Sequence, residues 1–485
     1  MKAVDGLSPR SLWEHLREIS RIPRCSGHES AVAGHIRDTA ARLGLGARVD
    51  RAGNVIVKKP GVRGVPPVAL QSHLDMVCEK SPGSPHDFMR DPIELVRDGR
   101  WIRAKDTSLG ADNGIGVAAM LAIMTSENLP HPDLELVFTV EEETGLGGAN
   151  SIEKGWIGSR TLVNLDSEEE GTLFVGCAGG MHTELSLEAD FMSVPEGTSA
   201  VALSVSGLLG GHSGIDIHRG RPNAIKVLVR FLDAVFGAYD VHLADISGGT
   251  RHNAIPRDAR AVCHVNPDDM EALHQEIAHW NGILKSEYDH VDDRCAIHME
   301  TPHVQASRVL VPQDARRIVD LLQALPHGPA RFCSQWRDVV DTSTNLATCG
   351  FIGDILVVTT SQRGITPSAM HDIASQISSV GTLAGCTVNR GGAYPAWRPD
   401  PSSPILKACT EVYRGLTGKD PRVKVVHAGL ECAVLGERIE GLDMISFGPT
   451  IEAAHSPDER VDIDSVARFW DFLTGLLTFL SRRPV

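Results

Sequence analysis

No run of about 18 consecutive apolar residues occurs in the 485-residue chain, so no membrane-spanning helix is expected. The leading segment, MKAVDGLSPRSLWEHLREIS, has no apolar stretch of the secretory kind, so no signal peptide is expected. Basic residues are outnumbered: 47 Lys and Arg stand against 62 Asp and Glu, a formal charge of −15. That balance argues against a nucleic-acid partner, because phosphate-backbone binding is driven by Lys and Arg. There is also no basic stripe to suit an anionic membrane. The ten cysteines include no C-x-x-C pair, which removes zinc-ribbon and thioredoxin-type motifs. Scattered through a chain this long, they are expected to be reduced thiols of a cytoplasmic protein, with Cys78 and Cys177 as inert examples. Internal repeats and low-complexity segments are lacking too.

What is present is ordinary globular composition, 42% hydrophobic and 22% charged. The length suggests two or three structural units. Helical spacing of Leu12, Trp13, Leu16 and Ile19, with Ser8 as cap and Pro9 at the first position, predicts an opening helix. Val32, Ile36, Ala40 and Leu43 predict a second, stopped at Gly44. Then the rhythm changes. Short buried strands are expected at Val68–His73, Leu134–Val140, Thr161–Asp166 and Met444–Pro449, with a helix at Gly114–Met124. Strands alternating with helices imply a mostly parallel sheet, whose ligands bind beyond the carboxyl ends of its strands.

Between about Asp190 and Tyr394 the texture differs. The segment Ala202–Leu208 alternates apolar and polar residues, the mark of a strand with one wet face. A helix bearing Ile225, Leu228, Val229, Leu232 and Phe236 follows it, and Ile355–Ser361 is another strand. The chain therefore reads as an α/β catalytic domain of residues 1–189 and 395–485, interrupted by an α+β lid of residues 190–394. A closing helix from about Ser465 carries Val466, Phe469, Trp470, Leu473, Leu476, Leu477 and Leu480.

Acids and histidines gather where the α/β strands end. His73 and Asp75 close the first strand, Asp112 precedes the helix, and Glu141, Glu142 and Glu143 close the second strand. Asp166 closes the third, and His455 follows the last. Each alone has a bland reading, a structural histidine or a solvated acidic face. Together they do not, because unpaired carboxylates repel one another and are costly to bury. One or two divalent cations would neutralise them, and the donor set suits zinc, manganese or cobalt.

The ordered strings QSHLDMV, HDF, LGADNGIG, EEETGLGGA, DSEEEG, GCAGG, GGHSG, GGTRHNAIPR, GAYPAW, HAGLECAVL and GPTIEAAHSPDE cover nearly the whole chain. By these the sequence resembles the co-catalytic zinc exopeptidases, the family of aminoacylases, desuccinylases and carnosinases, and within it the bacterial dipeptidases. The resemblance implies a three-layer catalytic domain with an inserted lid and dimerisation domain. It implies two Zn2+ per subunit, with Mn2+ or Co2+ as substitutes. His73, Asp112 and Asp166 would hold one ion; Asp112, Glu143 and His455 would hold the other. Asp75 would fix the His73 tautomer. The family pattern Glu-Glu-x-Gly, set by Gly145, makes Glu142 the general base and leaves Glu141 a bystander. His212 would serve the oxyanion from a neighbouring subunit, which implies a homodimer. Asn253 and Arg363 are candidates for the substrate carboxylate and Glu431 for its amino group; Tyr394, Pro395 and Trp397 are expected to shape the lid junction. The implied activity is hydrolysis of unblocked dipeptides, Xaa-His favoured. An N-acyl amino acid deacylase and a non-catalytic binding homologue are the alternatives.

Overall fold

Residues 3–302, 306–334, 336 and 339–482 are described by the structure, a computed structural model. The opening helix runs Arg10–Ile19 and buries Leu12, Trp13, Leu16 and Ile19, the stripe its spacing implied. Pro9 rather than Ser8 precedes its first residue, and no side chain caps it. The second helix, Ser30–Arg42, buries Val32, Ile36 and Ala40, and the chain leaves it through Gly44 at φ 69°.

The chain divides into two compact units. The first comprises residues 1–177, 397–425 and 430–485. Its main sheet has the order Gly46–Val49, Val55–Lys59, Leu134–Thr139, Val68–His73, Thr161–Asn164, Asp443–Ser446, Thr172–Cys177, Arg422–Val426. The four central strands, from Leu134–Thr139 to Asp443–Ser446, are parallel to one another. Toward the edges, Val55–Lys59 and Thr172–Cys177 run antiparallel to them. Val68–His73 and Leu134–Thr139 are buried along their whole length, as parallel strands covered on both faces must be.

Register positions the site. His73 pairs with Thr139, Gln71 with Asn164, and Ser446 with Asn164. Four carboxyl ends therefore finish at one level, and the loops leaving them start side by side. The closing helix Ile463–Leu480 buries Val466, Phe469, Leu473, Leu476 and Leu477, each contributing about 1.5–3 kcal/mol by leaving water.

The second unit comprises residues 178–396 and 426–429. Its sheet is antiparallel, ordered Ile297–Glu300, Ser199–Val205, Ala259–Val265, Val241–Gly248, Val340–Ile352, Ile355–Gly364, Gly179–Glu188, Thr387–Tyr394, with Gly328–Phe332 also on Val340–Ile352. Helix Ala224–Phe236 packs its buried stripe here, capped by the Asn223 side chain on the amides of Ile225 and Lys226. The seams at 177/178 and 396/397 differ from the 189/190 and 394/395 expected from composition. The reason is the strand Gly179–Glu188, whose ten residues pair along Ile355–Gly364 and bind it into the second sheet.

The thiol expectation is corrected in one place. Cys25 and Cys78 form a disulfide across 53 residues of sequence, with Cα atoms 5.7 Å apart. A parallel bridge between Cys25 and Met76 brings the two segments together, a proximity that spacing along the chain does not disclose. Cys177, by contrast, is a buried free thiol, its pKa pushed up to about 11 by burial.

Candidate active site

Five expected metal ligands meet at the carboxyl edge of the first sheet. His73 Nε2 lies 3.1 Å from Asp112 Oδ1 and 3.2 Å from Asp166 Oδ1. On the other side, His455 Nε2 lies 3.1 Å from Asp112 Oδ2 and 3.0 Å from Glu143 Oε2. Asp112 thus divides its two oxygens between two trios. Ligand atoms of His73, Asp112 and Glu143 all lie within 4.8 Å of one another, a spacing able to hold a metal ion. Asp112 reaches this place because the first turn of helix Ala111–Thr125 is non-helical at Asp112 and Asn113.

Asp75 is completely buried and serves two structures at once. Its Oδ1 is 3.4 Å from His73 Nδ1 and accepts the Glu142 amide at 3.1 Å. Its Oδ2 accepts the Ser26 hydroxyl at 2.8 Å and the Glu143 amide at 3.1 Å. The imidazole and the glutamate turn are therefore held by one carboxylate. Glu141 contributes backbone only: its side chain is exposed, its φ is 52°, and its amide donates to Glu29 Oε1. Left-handed φ at Glu141 and at His455 (62°) costs about 1–3 kcal/mol each, so the surroundings must hold both turns.

Burial of so many acids shifts their protonation. Burial, with Asp112 and Glu143 adding and His73 opposing, pushes Asp166 up to about 7. Burial likewise lifts Glu142 well above the usual carboxylate range, helped by Asp166, Glu143 and Glu431. Burial opposes charge on His73, but Asp166, Asp112 and Asp75 outweigh it and raise the imidazole. Hydrogen bonds to Asp112 and Glu143 raise His455 to about 11. Protons are thus shared out among groups that cannot all be ionised together. Glu143 Oε1 is buried with no hydrogen-bond partner. Divalent cations fit this donor set, replacing protons with charges that every acid can share.

Beneath the ligands lies a polar layer that sequence reading missed. Asn164 donates to Gln71 Oε1 at 2.6 Å, Ser446 to Asn164 Oδ1 at 2.5 Å, and the Asp166 amide to the same oxygen at 3.2 Å. Gln71 and Thr139 both donate to Glu431 Oε2, at 2.5 and 2.7 Å. Glu431 is 0% exposed and burial pushes it up to about 7. It sits inside this layer rather than on an accessible wall. The only sequence signal for the layer was polar residues inside a strand otherwise apolar, QSH after VAL.

Arg24 and Ser26 were also missed. The buried Arg24 guanidinium donates to the carbonyls of Leu74 at 2.9 Å and Asp75 at 3.0 Å, and to that of Gly110. With Cys25 bonded to Cys78, three consecutive residues tie this strap to the segment running from Leu74 to Cys78.

In the second unit, His212 Nδ1 accepts the amides of Gly214 and Ile215 at 3.2 and 3.1 Å, while its Nε2 is 3.4 Å from Arg363 Nη2. Gly214 is required at its position: a Cβ there would lie 1.9 Å from the His427 carbonyl oxygen. Arg363 is 7% exposed, and its Nη1 donates to the Tyr394 hydroxyl at 2.7 Å. Among the described residues no carboxylate pairs with Arg363. Tyr394 therefore does more than shape a junction; it aims the guanidinium. Asn253 is exposed, and its carbonyl receives the Ser213 amide at 2.8 Å.

Residues 69–478 match peptidase family M20/M25/M40. The cytosol non-specific dipeptidase of Escherichia coli K12 is 38% identical over 480 residues, 98% of this chain and 99% of that protein. The crystal structure of aminoacylhistidine dipeptidase from Vibrio alginolyticus superimposes with a TM-score of 0.86 at 38% identity, covering 98% of this chain and 97% of that one. Human carnosine dipeptidase 1 has the same fold, with a TM-score of 0.52 at 13% identity over 97% of this chain and 96% of its own.

Proposed function

Because the chain belongs to peptidase family M20/M25/M40, we propose that it is a metallo-dipeptidase acting on unblocked dipeptides, Xaa-His among them, with two zinc ions per subunit. The observation that carries this reading is the division of Asp112 between two trios, His73 with Asp166 and His455 with Glu143. Manganese and cobalt suit the same oxygen and imidazole donors.

Divalent cations in these trios would supply Lewis acidity and bring the pKa of a water down toward neutrality. Glu142 takes the proton of the attacking water and returns it to the leaving amine. Burial lifts its pKa above the ordinary carboxylate range, which makes it a stronger proton acceptor than an exposed glutamate. Asp75 keeps His73 in the tautomer that turns Nε2 to the site and holds the Glu142 backbone in place. Arg363, buried and without an acidic partner among the described residues, grips the substrate carboxylate beside Asn253. His212 donates to the oxyanion, acting across a homodimer whose contact surface is the second unit. Glu431, given its burial, supports the strand ends through Gln71 and Thr139 rather than meeting the substrate amine. A cytoplasmic location rests on the naming of the E. coli relative; the Cys25–Cys78 bridge runs against a reducing compartment.

The test is purified protein loaded with zinc or manganese against a panel of free and N-acylated dipeptides. Hydrolysis of free dipeptides, abolished by chelation, is expected. Faster turnover of blocked substrates would replace this reading with a deacylase, and no turnover of any substrate would reject it.

A further inference from the structure

One carboxylate outside the ligand set gathers four consecutive backbone amides. Glu459, 2% exposed, accepts Leu109 N and Gly110 N on Oε2, each at 2.7 Å. Its Oε1 accepts Ala111 N at 2.8 Å and Asp112 N at 3.2 Å. These are the amides that open helix Ala111–Thr125, which has no side-chain cap of its own. An anion there is favoured both by the orphan donors and by the helix dipole.

Glu459 also closes the turn that presents His455. Its amide donates to Ser456 O at 3.1 Å, and the Ser456 hydroxyl donates to Ala453 O at 2.8 Å. Ala453 and His455 both have left-handed φ, 54° and 62°, a conformation this turn does not favour unaided. The two turns are 343 residues apart in sequence, yet His455 Nε2 and Asp112 Oδ2 must meet at 3.1 Å. The His455 turn is the loop of the hairpin Ile451–Glu452 and Arg460–Asp462, and the second of these strands pairs with Trp101–Ala104, upstream of Asp112, so the ladder brings the two segments near each other. Among the described residues no backbone hydrogen bond then joins residues 109–112 to 453–459.

We propose that Glu459 is a positioning residue: its carboxylate joins the Asp112 turn to the His455 turn and thereby sets the affinity of the cation held by Asp112, Glu143 and His455. It does not touch the ion. The proposal rests on the metallopeptidase reading and concerns one of its two cation sites. Loss of the carboxylate frees the His455 turn from the Asp112 turn. Asp112 itself is still held from both sides, by Arg24 on the Gly110 carbonyl and by the Asn113 side chain on the Leu165 carbonyl at 2.8 Å. His73 and Asp166 stay fixed by their own strands, so the site they share with Asp112 persists.

The experiment titrates zinc calorimetrically into chelator-stripped wild type, Glu459→Gln, Glu459→Asp and Asp458→Asn, with thermal unfolding of each metal-free protein. Asp458 is the exposed neighbouring acid. Wild type should take two ions. Glu459→Gln should keep one site and weaken the other by roughly tenfold or more, the scale of a lost supporting partner. Excess zinc should restore its kcat. Glu459→Asp, which keeps the charge on a shorter stem, should fall between, and it carries the test if the amide variant does not fold. Asp458→Asn should match wild type. The proposal is overturned if Glu459→Gln binds both ions as wild type does, if both sites weaken together, or if Asp458→Asn has the same effect. Wild type binding no zinc at all would defeat the metallopeptidase reading as well, which separates the two failures.

Discussion

Replacing Asp75 by asparagine keeps the shape of the most heavily used side chain in the site and removes only its charge and one acceptor. Each oxygen of Asp75 faces a backbone donor, Glu142 N or Glu143 N, so whichever becomes the NH2 group confronts a buried N–H. A buried donor left without a partner costs about 1–3 kcal/mol. The protonation equilibrium leads to the same scale. Burial alone would raise the Asp75 pKa, but His73, Ser26 and the Glu142 amide outweigh it and hold the carboxyl at about 2 against an ordinary 3.8. At about 1.4 kcal/mol per pH unit, that preference for the charged form contributes about 2.5 kcal/mol to the metal-free protein. Because the folded pKa is depressed, this stability is present above pH 3.8 and is lost as pH falls toward 2. Metal-free Asp75→Asn should therefore unfold about 2 kcal/mol more easily than wild type at pH 7 in urea, and the gap should close on acidification. Zinc affinity or kcat/KM should fall roughly 10–100-fold, the range for losing a carboxylate behind a ligating histidine. A variant within about 0.5 kcal/mol of wild type at pH 7, with unchanged zinc affinity, would refute the reasoning.

Glu142→Gln should lower kcat by roughly 10²–10⁴ while metal content, measured by elemental analysis, stays at the wild-type level. Zinc affinity should rise with pH throughout pH 5.5–7.5 without levelling off at 7, because cations must displace the proton that burial keeps on Asp166 and the proton that Asp112 and Glu143 keep on His455; competition titrations at pH 5.5, 6.5 and 7.5 measure the slope. Replacing Cys25 and Cys78 by serine, or reducing their bridge, should destabilise the protein by up to about 4 kcal/mol on loop-closure entropy, read from denaturation with and without a dithiol.

Much of the catalytic unit was readable because strands and helices leave periodic traces. Val68–His73 and Thr161–Asn164 announced themselves as apolar runs ending in polar residues, and a parallel sheet puts such ends on one edge. His73, Asp75, Asp112, Glu142, Glu143, Asp166 and His455 could be chosen because acids and imidazoles recurred at each end in family order. Less readable were residues whose importance lies in a partner far along the chain. Glu459 looked like the tail of a motif and Cys25 like one thiol among ten, and nothing in the local pattern singled out Arg24 or Ser26. Glu431 was expected at a substrate, yet its strongest neighbours, Gln71 and Thr139, lie 360 and 292 residues away.

Local chemistry along the chain thus determined the elements, the family and the groups able to bind a cation, since periodicity and residue type are properties of neighbours in sequence. Tertiary structure alone decided how those groups share work. It gave each Asp112 oxygen a different histidine, placed four amides on Glu459, paired Cys25 with Cys78 and buried Arg363 behind Tyr394. Hydrogen bonds and ion pairs act over about 3 Å of space, and chain connectivity is silent about which distant turns are brought that close.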